Sequence, residues 1–305
     1  MKHMKFLSFF LGVTFSIVAC SSNNEIIPVP DVDPDGDDGT TEVEFAKGAD
    51  IGWVTEYESK GYNFYNAKGE QRECTALMKE LGLNAIRIRV WVDPSKHGNW
   101  CNTADVVEKA KRAKELGMDV MIDFHYSDWW ADPAQQNKPA SWVGKNLANL
   151  KSAIKDHTVS VLQALKTIGV IPKWVQVGNE IRPGMLWDED VALSGASYNV
   201  TEKDLKDAPA SATDKVVYPM NWANLGAFVT TGYDAVKSVF PDAIVIVHLD
   251  NGWDSGLFTW FFDELKKNGG KWDMIGMSLY PYWSRDAKEG YSSADAVITD
   301  CISNI

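Results

Sequence analysis

The chain has 305 residues, with 30 Lys and Arg against 42 Asp and Glu, a formal charge of −12. That balance speaks against a nucleic-acid partner, because an acidic surface repels phosphate. An apolar fraction of 45% suits a globular chain with a large core, and thirteen Trp fit either core filling or flat platforms for sugar rings.

The N-terminus is basic at Lys2 and Lys5 and then apolar from Phe6 to Ala19. This run is too short to span a bilayer and reads as an export signal over residues 1–20. It ends in Ile17-Val18-Ala19-Cys20-Ser21-Ser22, which resembles a bacterial lipobox with Cys20 as the lipidated residue. Residues 21–44 carry eight acidic side chains and three prolines with no Lys or Arg. Such a segment cannot bury enough apolar surface to order itself and reads as a disordered acidic tether. The expectation is an exported lipoprotein of the bacterial outer membrane or cell surface, held to a membrane by its N-terminal lipid, with a catalytic domain over 45–305.

From there strands and helices alternate. Candidate strands are Ala46 to Ile51, Asn84 to Trp91, Met118 to His125, Lys173 to Asn179, Ala243 to His248 and Asp273 to Tyr280. Lys79-Glu80-Leu81-Gly82 recurs as Lys114-Glu115-Leu116-Gly117, each copy followed by an apolar run. Helix, glycine stop, strand is the repeated unit. The helix before Gly117 has Val106, Ala110, Ala113 and Leu116 on one face, with Asn102 or Thr103 available as its cap. The alternation predicts a parallel sheet with helices outside. A doubly wound sheet also alternates, but Gly48-Ala49-Asp50-Ile51-Gly52-Trp53 lacks the glycine spacing of a phosphate loop.

Side chains in a strand alternate between faces, so parity separates those that point into a barrel from those that meet the helices. Ile86, Ile88 and Val90 fall on one parity and Arg87, Arg89 and Trp91 on the other. Asp123 and His125 oppose Val120, Ile122 and Phe124, and His248, Ser278 and Tyr280 are set apart in the same way. Asp50, Arg89, His125, Glu180, His248 and Tyr280 each stand at the C-terminal end of a strand. A barrel gathers such ends at one mouth, where its active site lies. The most specific local signal is Trp174-Val175-Gln176-Val177-Gly178-Asn179-Glu180, a buried strand ending in a carboxyl group that a low-dielectric cleft would keep protonated.

By these motifs the chain resembles retaining (β/α)8 glycosidases, and more narrowly the endo-β-1,4-galactanases of glycoside hydrolase family 53. Gly48 to Ile51, Ile86 to Trp91 with Asp93-Pro94, Asp123 to Pro133, Val175 to Glu180, His248 and Ser278 to Trp283 carry the resemblance. It implies a TIM (β/α)8 barrel, endo-hydrolysis of β-1,4-galactan with retention, a polysaccharide substrate, a monomer and no cofactor. By resemblance Glu180 is the acid/base, and Asn179, His125, Asp128, His248 and Tyr280 line the cleaved linkage. Arg89 is expected beside the nucleophile, Trp91, Trp129 and Trp283 as stacking platforms, and Asp50 and Asp132 as further substrate contacts. Only about six β/α units can be traced, so the barrel is expected to be truncated after the sixth, without the strand that brings the nucleophilic Glu. Two other readings stay open: a catalytically dead galactan-binding surface lipoprotein, and a related enzyme acting on mannan, xylan or arabinan. Cys74 and Cys101 could pair, since both fall near helix starts, and no metal-ligand spacing occurs.

Overall fold

The computed structural model describes residues 45–133, 135–187, 221–281 and 294–305. The export signal, Cys20, the acidic tether, most of the segment between Arg182 and Asn221, and Trp283 lie outside the described residues. In chain order the elements are β1 (Gly48–Asp50), α1 (Val54–Ser59), a hairpin of β2 (Phe64–Tyr65) and β3 (Gln71–Arg72), α2 (Cys74–Glu80) and β4 (Ala85–Val90). There follow α3 (Thr103–Glu115), β5 (Asp119–Phe124), α4 (Leu147–Thr167), β6 (Trp174–Val177) and α5 (Trp222–Val239). The last are β7 (Ile244–Leu249), α6 (Ser255–Lys267), β8 (Met274–Met277) and α7 (Ala294–Ser303).

One sheet holds six of these strands in the order β1-β4-β5-β6-β7-β8, every neighbouring pair parallel. This is the β/α succession of a TIM barrel through six units. The parity argument holds along the sheet. Ile86, Ile88, Val90, Ile122, Phe124, Val175, Val177, Val245 and Val247 have no exposed surface and form the layer between strands and helices. Val106, Ala110 and Ala113 meet that layer from α3, and Leu150, Ile154, Val161, Leu162 and Leu165 meet it from α4. Each of the Val, Leu, Ile and Phe side chains among these contributes about 1.5–3 kcal/mol of burial. The opposite face is then left to Arg87, Asp123, Gln176 and His248.

The repeated glycine joint has one geometry. After α3, the Gly117 N–H donates to Lys114 O at 2.9 Å and the Met118 N–H to Ala113 O at 2.9 Å. These paired bonds close the helix and aim the chain into the next strand. The same pair recurs after α2, α4 and α6, at Gly82, Gly169 and Gly269. At the other ends Asn102, Asn146, Asn221 and Asp254 each cap a helix by accepting from a backbone N–H three residues on.

The three cysteines of the described residues are buried and unpaired, so the Cys74–Cys101 pairing that their helix-start positions allowed is not made. Cys101 instead points its Sγ at Gly52 O, 3.2 Å away, beside the fully buried Lys109, which binds the same carbonyl and Asp105. This strut ties α3 to the loop that follows β1.

Gly117 takes φ +63, and a Cβ built on it meets nothing within 4 Å. Gly117→Ala therefore carries a purely conformational cost and should lower the unfolding free energy by about 1–2 kcal/mol. A Cβ at Gly226 would fall 2.2 Å from Asn268 O, so Gly226→Ala should cost more. Urea denaturation of both variants checks the ranking.

Candidate active site

A cavity of about 880 Å³ opens along the inner face of β4 to β8 and reaches the residues just past their C-terminal ends. Its polar lining includes Arg87, Asp132, Gln176, Asn179, Glu180, Arg182, His248, Asp250, Ser278 and Tyr280, with Trp130 at the rim.

The floor is organised by one guanidinium. Arg87 Nη1 lies 2.8 Å from Asp50 Oδ2, and Nη2 lies 2.7 Å from Asp123 Oδ2, 2.9 Å from Asn179 Oδ1 and 3.1 Å from Gln176 Oε1. Burial works against its charge, but Asp123 and Asp50 outweigh that and hold the Arg87 pKa above its ordinary value. Asp123 has no exposed surface, which by itself would favour its neutral form; Arg87 and His125 nonetheless keep it below the usual carboxylate range. His125 donates from Nε2 to Asp123 at 3.0 Å, while its Nδ1 accepts from Ala131 N at 3.0 Å and Trp91 Nε1 at 3.3 Å. Both ring nitrogens are thus spent on fixing the loop after β5.

Glu180 ends the turn after β6. Gly178 there takes φ +83, and a Cβ on it would fall 2.5 Å from Ile181 Cγ2, so the turn needs glycine at that point. Glu180 itself is left-handed at φ +49, a conformation that costs a non-glycine residue about 1–2 kcal/mol. The turn is held from three sides. Gln136 Nε2 donates to Asn179 O at 2.8 Å, Ile181 N to His248 O at 3.1 Å, and Asn179 Nδ2 to Ala131 O at 2.7 Å.

Only 9% of Glu180 is exposed. Burial, with the charges of Asp250 and Asp132, raises its pKa to about 7, while Ser278 and Arg87 pull the other way. His248 is pushed down to about 3, first by burial and then by Arg87, and is neutral at physiological pH. Asp250 is clamped by Arg182 through Nε at 2.9 Å and Nη2 at 2.9 Å.

Of the residues singled out in the sequence, Asp132, Asn179, Glu180, His248 and Tyr280 line this cavity. Asp50, Arg89, Trp91, His125, Asp128 and Trp129 stand outside its lining. The Arg89 guanidinium lies 4.2 Å from the Trp130 ring and 5.2 Å from that of Trp91, with Nη1 3.4 Å from Asp50 Oδ1. Asp128 is a loop brace: its two oxygens accept from Asp93 N at 2.9 Å and Ala140 N at 2.8 Å. Trp91 is buried, with its ring centroid 4.5 Å from that of Trp129, whose own stacking partner is His97 at 3.8 Å. Trp129 and Trp130 are the exposed members of this cluster. Arg87, Gln176 and Ser278 carried a usable signal, since all three fall on the inward parity. Asp250 and Arg182 lie past strand ends, where parity says nothing. Among the described residues, no group of three or more His, Cys, Asp or Glu converges as a metal site would.

Comparison with known proteins fits this arrangement. The sequence model of glycosyl hydrolase family 53 matches residues 46–300. An uncharacterized protein in the bgaB 5′ region of Niallia circulans is 38% identical over 242 residues, covering 79% of this chain and 60% of that one. An arabinogalactan endo-β-1,4-galactanase of Thermothelomyces thermophilus is 34% identical over 247 residues, covering 79% and 65%. This chain therefore spans 60% and 65% of the length of these two relatives. A solved fungal β-1,4-galactanase superposes with a TM-score of 0.67 at 31% identity, covering 85% of this chain and 68% of its own.

Removing Asp123 leaves the Arg87 charge without its most buried partner. Asp123→Ala should lower the unfolding free energy by about 3 kcal/mol, because an uncompensated buried charge costs more than the pair contributes. The double variant Asp123→Leu with Arg87→Met should recover part of that loss in denaturant titrations.

Proposed function

Because this chain belongs to glycosyl hydrolase family 53, we propose that it cleaves β-1,4-galactan with Glu180 as the proton donor and acceptor. The observation that carries this reading is the carboxyl group of Glu180, buried in the cavity with a pKa raised to about 7. A carboxylic acid still half protonated at neutrality can give its proton to the departing glycosidic oxygen. The resulting carboxylate then takes a proton from the water that completes the reaction. Asn179 Oδ1 is engaged by Arg87 and its Nδ2 by Ala131 O, so Asn179 serves chiefly to fix the turn. Trp130, exposed at the rim, offers a flat apolar face for a sugar ring.

Retention requires a second carboxylate about 5–5.5 Å from the first. The other cavity carboxylates are committed elsewhere: Asp250 to Arg182, and Asp132 to Gln135 Nε2 at 2.9 Å. Asp123 is bound by Arg87 and His125. The described residues thus supply the proton donor and not the nucleophile; a second reading is galactan binding without cleavage. Export, lipidation at Cys20 and a tether over residues 21–44 belong to the same proposal and agree with a polymeric substrate met outside the cell.

Incubation with β-1,4-galactan, mannan, xylan and arabinan tests the proposal. Short oligosaccharides should appear from galactan alone, and Glu180→Gln should lower their release by about 100-fold or more. Because the donor must be protonated, the rate should fall about tenfold per pH unit above pH 7. Undiminished cleavage by Glu180→Gln would overturn the assignment. Retardation in a galactan affinity gel without cleavage would select the binding reading.

A further inference from the structure

Lys109 is out of keeping with its place in the fold. It stands on the inward face of α3 with Val106, Ala110 and Ala113, and it has no exposed surface. A buried ion pair is often no more stabilising than aliphatic side chains of the same volume, so packing alone does not call for lysine there. Its ammonium binds the carbonyl of Gly52, in the turn after β1, and Asp105 Oδ2 at 2.5 Å. Asp105 also accepts from Thr55 Oγ1 at 2.6 Å and from Cys101 N at 2.6 Å. The carboxylate thus matches the charge and keeps the ammonium against the turn.

Gly52 faces two ways. Its carbonyl goes to Lys109, and its N–H donates to Asp50 Oδ1 at 2.9 Å. That bond leaves Asp50 Oδ2 for Arg87 Nη1, 2.8 Å away. Arg89 Nη1, at 3.4 Å from Oδ1, is a weaker second partner. A glycine has no side chain by which to be anchored, and none could be added here, because a Cβ on Gly52 would fall 2.7 Å from Arg89 Nη1. The carbonyl is the handle that remains. Cys101 Sγ, at 3.2 Å, is a weak donor to it beside an ammonium.

We propose that Lys109 is a positioning residue for the Arg87 cluster: by gripping Gly52 O it fixes the Gly52 N–H that aims Asp50 at Arg87. It acts at a distance, since Gly52, Cys101 and Asp105, its bonding partners, do not line the cavity. The placement of Arg87 does not depend on reading Glu180 as a proton donor; any effect on cleavage does.

Nitrogen-15 NMR of the Arg87 guanidinium tests this, with Arg87→Lys identifying the resonance. Lys109→Met combined with Asp105→Asn leaves no charge buried alone and keeps an acceptor for Cys101 N. In that double variant the guanidinium hydrogens of Arg87 should exchange with water about tenfold faster, as loss of a hydrogen bond to a charged group requires. Placed on Asp50→Asn, the same two substitutions should add nothing further, because Lys109 acts through the Asp50 carboxylate. Unchanged exchange in the folded double variant, or the same acceleration with and without that carboxylate, would overturn the proposal. A second measurement needs no variant to fold: in the wild type the Lys109 ammonium should give a slowly exchanging resonance coupled through its hydrogen bond to the Gly52 carbonyl carbon, and absence of that coupling would equally overturn it. None of these readouts involves Glu180, so failure of the proton-donor reading would leave them standing.

Discussion

A guanidinium set inside a sheet has to be surrounded by acceptors, and the inner face of this protein is built to surround Arg87. Its partners come from β1 through Asp50, β5 through Asp123, β6 through Gln176 and the following turn through Asn179. No two of these residues are neighbours in the sheet by sequence alone; the parallel register brings them together. The charge is kept because Asp123 beside it is ionised, and Asp123 is kept ionised because Arg87 and His125 bind it. His125 then orders the loop that carries Trp130 and Ala131, and Ala131 O receives Asn179. One buried ion pair thereby sets the positions of two loops at the cavity mouth.

Two buried carboxyl groups end in opposite states for reasons visible in their surroundings. Asp123 meets a cation and two further donors, and stays charged. Glu180 meets two other carboxylates, a neutral histidine and little water, and is pushed to about 7. This separation of proton affinities within one cavity is what acid chemistry near neutral pH needs. The strain of the left-handed Glu180 backbone is offset by the bonds that hold its turn, from Gln136, Ile181 and Asn179.

Much of this was legible in the residues. The helix–glycine–strand joint at Gly82 and Gly117 marked two helix ends, and the structure repeats it after α4 and α6, because glycine takes the left-handed position without penalty. Strand parity found the inner face, because a parallel sheet covered by helices must put its aliphatic side chains outward. What parity could not do was choose between Arg87 and Arg89, which share a face and differ by one row of the sheet. Their contacts separate them: the Arg87 guanidinium reaches Asp123, Gln176 and Asn179, whereas that of Arg89 lies against Trp91 and Trp130 with Nη1 3.4 Å from Asp50 Oδ1. Asp128 has bonds that its motif does not announce. A carboxylate in a loop motif reads as a ligand, yet two backbone N–H groups of its own loops take both oxygens. The Arg182–Asp250 clamp joins two loops whose meeting depends on how the strands before them are placed, and no local pattern announces it.

The Arg87 cluster holds the turn from Gly178 to Glu180 in its strained form. A crystal structure of Arg87→Met beside that of the wild type tests it most directly. In that variant Asn179 should lose its place against Ala131 O, and Glu180 should relax out of the left-handed region, away from His248. A variant in which Glu180 keeps a φ near +49 and its bond to His248 would contradict it.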